Sequence, residues 1–302
     1  MNRKLIVLFL LSCMLLYSIS SSSVNNIVYA DPIPVPPVDS KFWRHIGILT
    51  LQDNLNISMI YAYVNINVDT TEYLKFNIVT SGNYTFYNYN QTENVTVVIP
   101  IDNFVSSNDK RLEGANNGDI ILKVDNQLTS YQELILSFKQ SEYLKNYIPG
   151  VTADEMPVIA FNVSFAGFCN TSIFYSSESA FRRNIKNSYV EIYFLVMTGA
   201  IWYGNLTERV DFDVYGLQPD DYNAYVDNPQ NHKFQIMDID DGKKYQWDWI
   251  NTNYLYNPSI SYRTIDPRFF EFYGLYIILS SLCVLVVLSS SIIYIIKKKK
   301  QK

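Results

Sequence analysis

ERVDFDVYG, residues 208–216, alternates without a slip: Val210, Phe212 and Val214 fall on one side, Arg209, Asp211 and Asp213 on the other. Successive side chains of an extended chain point to opposite faces, so this stretch reads as a strand with one dry face and one wet face. The same texture of β-branched and aromatic residues recurs before it, in ISMIYAYVNINV (57–68), EYLKFNIV (72–79), NYTFYNYN (83–90), NVTVVIPI (94–101) and DIILKV (119–124). It continues in PVIAFNVSF (157–165), TSIFYS (171–176), SYVEIYFLVM (188–197), HKFQIMDI (232–239) and KKYQWDWI (243–250). Many short strands at close spacing predict a mainly β protein of sandwich type. Gly82 and the polar residues Asn90 to Asn94 are read as breaks between strands.

One segment reads differently. Ser130-Tyr131-Gln132-Glu133 has capping-box spacing, Leu134, Ile135, Phe138 and Leu144 supply an apolar stripe, and Ile148-Pro149-Gly150 would end a helix. A helix over residues 131–147 is therefore expected, within a connector at residues 129–150 between two β-sandwich-like units, residues 41–128 and 151–268. MDIDDGKKY (237–245) suggests calcium by its acids, but counting back from Gly242 puts Met237 and Ile239 at the first and third positions of an EF-hand loop. The register fails, and an Asp241-Gly242 hairpin turn is the simpler reading, with a calcium site of another kind as its rival.

Both ends of the chain are apolar. Residues 1–30 read as a signal peptide: Arg3 and Lys4 carry charge, Leu5 to Tyr17 form an apolar core, and Val28-Tyr29-Ala30 offers small residues for cleavage. Four prolines make residues 31–40 an extended leader. Near the other end, residues 273–296 run without a charge. A helix of that length is about 36 Å long, enough to cross a hydrocarbon core of about 30 Å. Aromatic residues precede it and lysines 297–300 and 302 follow, which predicts a single transmembrane helix with residues 297–302 as a cytoplasmic basic tail. The expected localisation is the plasma membrane, with the N-terminus and the bulk of the chain extracellular.

Charge and cysteine usage narrow the function. All 29 acidic residues lie between Asp31 and Glu271, with only 17 of the 24 basic ones, so that portion carries a formal charge of −12. Nucleic acid is an unsuitable partner for such a surface. Only Cys169 of the 3 cysteines falls there, so packing and not disulfides must hold the fold. Seven Asn-x-Ser/Thr sequons, at Asn56, Asn83, Asn90, Asn94, Asn162, Asn170 and Asn205, mark candidate glycosylation sites of an exposed protein.

Catalytic signatures are thin. His45 and His232 stand far apart, in no zinc-like spacing and beside no nucleophile motif, and no Gly-rich phosphate loop occurs. No catalytic residue, metal ligand or cofactor is assigned. Tyr245, Trp247 and Trp249 share one face of a strand; the preferred reading is the core face of a sandwich, with a platform for stacking sugar rings as the alternative. VMTGAIWYGNLTERVDFDVYG (196–216), with YQWDWIN (245–251) after it, holds a strand ending in Thr198-Gly199, a corner at Trp202 and Gly204, an alternating strand and an aromatic-rich strand. VTVVIPI (95–101) and ILKVDNQ (121–127) come earlier. This pattern resembles secreted or membrane-anchored β-rich proteins of unknown function; the resemblance implies a fold, with Thr198, Gly199, Trp202 and Gly204 as structural corner residues. The expected function is non-catalytic recognition, adhesion or envelope organisation at the cell surface, with an envelope protein or glycan as partner. Its rivals are a membrane-tethered hydrolase of envelope polysaccharide or peptide, and a carbohydrate-binding surface sensor.

Overall fold

The alternating stretch lies at the heart of the largest sheet. The computed structural model describes residues 41–46, 48–50, 52, 55–100, 104–106, 116–117, 120–137, 155–182, 189–195, 202–223, 230–252 and 257–262, and a set of positions between 273 and 293. The first strands are β1 (Lys41–Ile46), β2 (Leu49–Thr50), β3 (Ile57–Asp69), β4 (Lys75–Asn88), β5 (Glu93–Pro100) and β6 (Phe104–Ser106). There follow β7 (Asn116–Asn117), β8 (Ile121–Val124), β9 (Gln127–Leu128), β10 (Gln132–Ser137), β11 (Glu155–Phe165) and β12 (Asn170–Arg182). The last are β13 (Val190–Leu195), β14 (Leu206–Tyr215), β15 (Asp221–Tyr222), β16 (His232–Ile239), β17 (Gly242–Thr252) and β18 (Ser259–Tyr262).

These strands make a protein that is mainly β, in three sheets. The nine-stranded sheet runs β16-β17-β14-β3-β4-β12-β8-β9, with β7 added beside β12; a five-stranded sheet runs β15-β18-β13-β1-β6, and a four-stranded one β10-β11-β5-β2. At the centre β3 pairs with β4 antiparallel and with β14 parallel, Val210 opposite Val64 and Phe212 opposite Ile66. One face of the large sheet is dry: Ala62, Val64, Ile66 and Val68 of β3 line up with Val210, Phe212 and Val214 of β14 in a single apolar core. The smaller sheets close over that face. Phe86 of β4 meets Phe165 of the four-stranded sheet edge-on at 5.5 Å, and Phe76 meets Tyr262 of the five-stranded sheet at 5.0 Å. Each such ring contributes about 1.5–3 kcal/mol by leaving water, which is how a fold without a disulfide is held.

Three expectations need correction. The chain does not divide into two sandwich units at residues 129–150, because β3 and β4 from the first half hydrogen-bond directly to β14 and β12 from the second. All of these strands belong to one unit, Pro36–Lys302. The expected helix is a strand over Gln132–Ser137, paired with β11 from Gln132↔Ala160 to Ser137↔Glu155. A short apolar run such as Leu134-Ile135-Leu136 fits either period, and tertiary pairing decides it; residues 138–150 lie outside the described ones. Gly82 breaks nothing: it sits inside the continuous β4, where the Tyr84 and Tyr175 rings fill the space a side chain would need.

The hairpin before Lys243 forms one residue earlier than the Asp-Gly reading places it. Ile239 pairs with Gly242, so Asp240 and Asp241 make the two-residue turn, with Asp241 at φ 59°. Among the described residues no group of acids, histidines or cysteines is placed to hold a metal. The expected signal peptide, proline-rich leader and basic tail fall on residues outside the described ones. Described positions between Tyr273 and Ile293 are helical, and Ile278, Leu282, Leu285, Val286, Leu288, Ile292 and Ile293 expose their side chains. Among the described residues no helix is long and apolar enough to cross a membrane.

Candidate functional site

The aromatic row singled out in the sequence is not a surface. Tyr245 is 4 % exposed and Trp247 and Trp249 1 % each. Trp247 packs on Phe212 and Phe234 with ring centroids at 5.4 and 4.8 Å and donates from Nε1 to the Asn223 carbonyl at 2.7 Å, while Trp249 stacks on His232 at 4.9 Å. Rings held this way cannot receive a sugar. Period-two spacing places three side chains on one face but does not say which face is dry.

Exposed aromatic rings gather elsewhere, where β4, β12 and β14 have their Asn88, Asn170 and Leu206 ends. Tyr89 is 50 % exposed, Tyr203 58 % and Phe168 67 %. Tyr89 lies edge-on between Tyr87 at 4.7 Å and Tyr203 at 5.9 Å. The backbone beneath them is tied together: Tyr89 N–H donates to the Asn56 carbonyl at 3.0 Å, Tyr203 N–H to Ile57 at 3.0 Å, and Phe168 N–H to Asn88 at 3.0 Å. Asn88, fully buried, is the hub. Its Nδ2 donates to the Gln91 and Phe165 carbonyls at 2.8 and 3.0 Å, and its Oδ1 accepts from Asn90 N–H at 2.9 Å.

Trp202 plugs this end from below. It is buried, its ring 4.5 Å from Phe86 and 6.1 Å from Phe165, and its Nε1 donates to the Ile48 carbonyl at 3.3 Å. Gly204, at φ 81°, turns the chain so that Tyr203 faces outward. Thr198 and Gly199 lie outside the described residues. All seven sequon asparagines are exposed. Asn56, Asn90, Asn170 and Asn205 flank the rings directly, with Asn94 and Asn162 on the adjoining ends of β5 and β11 and Asn83 further along β4. Asn162 Oδ1 accepts from Thr96 Oγ1 at 2.9 Å, and Asn205 Nδ2 donates to Asn251 Oδ1 at 3.3 Å. In the sequence the signal for this cluster was an aromatic residue beside a loop glycine, in Gly167-Phe168 and Tyr203-Gly204.

Chemistry-bearing side chains lie on both faces of β14. On the wet face Lys244 Nζ bridges Asp211 Oδ2 at 2.8 Å and Asp213 Oδ1 at 3.2 Å, Tyr63 donates to Asp211 at 3.0 Å, and Asn65 to Asp213 at 2.8 Å. Burial alone would lower the Lys244 pKa, but the hydrogen bonds and charges of Asp211 and Asp213 outweigh it and hold the ammonium above its usual range. Next to it Arg209 pairs with Asp248 at 2.6 Å. These groups pair with one another as a structural network does, with Asp211 Oδ1 and, its ion pair with Lys244 aside, Asp213 Oδ1 left without a hydrogen-bond partner among the described residues.

On the dry face Glu208 is buried between Trp249 and Ala62, with Tyr84 across Ala62. Glu208 Oε2, Tyr84 Oη and Trp249 Nε1 have no hydrogen-bond partner among the described residues. Burial pushes the Glu208 carboxyl well above its ordinary range, and it raises the Tyr84 phenol too, with the Glu208 charge adding to that. A carboxyl protonated in the folded chain and ionised in the unfolded one stabilises the fold at low pH and loses that contribution as pH rises from the ordinary carboxylate range towards the folded pKa. The expected result is a stability that falls by up to about 1.4 kcal/mol per pH unit above about pH 5. Urea unfolding across pH checks it: Glu208→Gln should flatten the slope, and an unchanged slope in that variant rules the assignment out.

No known family model matches the sequence, and no curated protein matches it. Two solved structures can be compared with it. A "putative nutrient binding protein" of Legionella pneumophila superposes with a TM-score of 0.54 at 15 % identity, over 74 % of this chain and 72 % of that one. An M1 zinc metallopeptidase of Deinococcus radiodurans gives a TM-score of 0.36 at 9 % identity, over 70 % of this chain and 43 % of the enzyme. The chain is similar in its β-rich fold to the Legionella protein, and at that identity the likeness is one of fold alone.

Proposed function

We propose that this chain is a membrane-anchored, exterior recognition protein that works without catalysis and binds an uncharged glycan of the envelope through Tyr89, Tyr203 and Phe168. The observation that carries the reading is that the exposed Tyr89 and Tyr203 rings touch, with exposed Phe168 on an adjoining loop, and that the backbone of all three is fixed by hydrogen bonds. Exposed apolar clusters on rigid supports mark interaction sites, and rigid rings lose little entropy on binding. The neighbouring side chains favour a saccharide: Asn56, Asn90, Gln91, Asn170 and Asn205 offer amides and no charge. An aromatic face stacks on a sugar's C–H surface while amides pair with its hydroxyls.

Anchoring rests on the uncharged run at residues 273–296 and the lysines after it. The exposed apolar side chains of its described helical positions are in keeping with a lipid-facing surface. Full-length protein in lipid nanodiscs, titrated against neutral oligosaccharides, tests the site. Tyr89→Ala combined with Tyr203→Ala should weaken binding by about tenfold, since each stacked ring contributes about 0.5–1.5 kcal/mol. Affinity unaltered in the double variant, or binding to a protein partner alone, sinks the glycan reading.

A further inference from the structure

The two ends of the nine-stranded sheet differ in what gathers there. At one end are the exposed rings and, around them, the sequon asparagines; all seven lie in the half of their strands or loops nearer Asn88. At the other end are the β3–β4 turn that follows Asp69, the Asp240-Asp241 hairpin turn and the close of β12 at Arg182, which pairs with Lys75. The C-terminal segment leaves from this second end. Tyr262, the last residue of β18, packs edge-on against Phe76 near the start of β4, and Tyr273, where the helical positions begin, lies 6.4 Å from the ring of Tyr73 in the β3–β4 turn. The thirteen residues of β3 separate the two ends by about 40 Å at the rise of an extended chain.

Resting on the membrane anchoring proposed above, we infer that the chain stands on the bilayer with its Lys75 end against the lipid headgroups and holds the aromatic end outward. The recognition site then meets a glycan carried on an opposing surface and not one in its own membrane. Two independent observations agree on this orientation. A ring contact ties the start of the C-terminal helical segment to the β3–β4 turn, and the exposed rings with their amide-bearing neighbours Asn56, Asn90, Asn170 and Asn205 occupy the opposite half. Tyr73 and Tyr273, at the boundary between the folded part and the uncharged run, stand where amphipathic rings favour the membrane interface.

Cys169, exposed at the aromatic end, is a built-in reporter of the orientation. Intact cells carrying the full chain would be labelled with a membrane-impermeant maleimide donor, and energy transfer to a lipophilic acceptor in the outer leaflet measured. The same measurement on Asp240→Cys and on Glu72→Cys, each in a Cys169→Ser background, samples the other end at two independent sites, and Cys169→Ser alone sets the baseline. Transfer from positions 240 and 72 at least threefold stronger than from Cys169 is the expected result. Equal transfer from both ends, or stronger transfer from Cys169, overturns the orientation while leaving the exterior location intact. Labelling of every variant only after permeabilisation overturns the exterior location on which the proposed function rests, and the orientation with it.

Discussion

Trp202→Ala is expected to destabilise the protein by about 3–5 kcal/mol, the range for emptying a buried tryptophan site. The ring touches Phe86 from the large sheet and Phe165 from the four-stranded one, and its N–H satisfies the Ile48 carbonyl. Removing it therefore opens a cavity between two layers and leaves a buried carbonyl unpaired. Denaturant unfolding of the full-length chain should show the loss as a lower midpoint with an unaltered slope. Tyr203→Ala, one residue on and exposed, should cost within about 0.5 kcal/mol. A Trp202→Ala penalty as small as that of Tyr203→Ala would remove the tryptophan from its role as plug.

Lys244→Ala should be the next most damaging change, at about 2–3 kcal/mol. Removing one member of a buried ion pair costs about 3–5 kcal/mol because the other charge is left without compensation. The effect is smaller here because the Lys244 side chain keeps 21 % of its surface exposed, though that of Asp211 keeps only 3 %. The diagnostic is a double-mutant cycle. Adding Asp211→Asn to Lys244→Ala removes the orphaned charge and should return at least half of the lost stability. Purely additive penalties would mean that the two side chains do not act as a pair.

These expectations come from parts of the fold that were unequally visible in the sequence. The strand at Glu208 to Gly216 was legible because both its faces carry a consistent chemistry, apolar on Val210, Phe212 and Val214 and charged on Arg209, Asp211 and Asp213. Its partners were not, since parallel pairing of β14 with β3 leaves no turn between them to read. The division into two units failed for the same reason: local texture shows where strands are, and long-range pairing decides which sheet they join. At the candidate site the sequence placed Trp202 and Gly204 at a corner, where the structure has a buried ring and a residue with positive φ. It preferred the core face for Tyr245, Trp247 and Trp249, which the structure buries, but it did not single out Tyr89, because Trp247 and Tyr89 look alike until the opposing layer is in position. Tyr89, Phe168 and Tyr203 become neighbours only when three separate loops meet at Asn88, and no spacing in the chain encodes that meeting.

The parallel contact between β3 and β14 also bears on the order in which the molecule can assemble. Tyr63 and its acceptor Asp211 are 148 positions apart. When the β3–β4 hairpin has emerged from the ribosome, one flank of its central strand still lacks its neighbour, and that flank stays open until the last third of the polypeptide is made. Contacts of such sequence separation slow folding and leave an adhesive edge uncovered in the meantime. Closure of this edge is thus a late event in the making of the chain, and any holding factor it meets before then has the naked edge of β3 to shield.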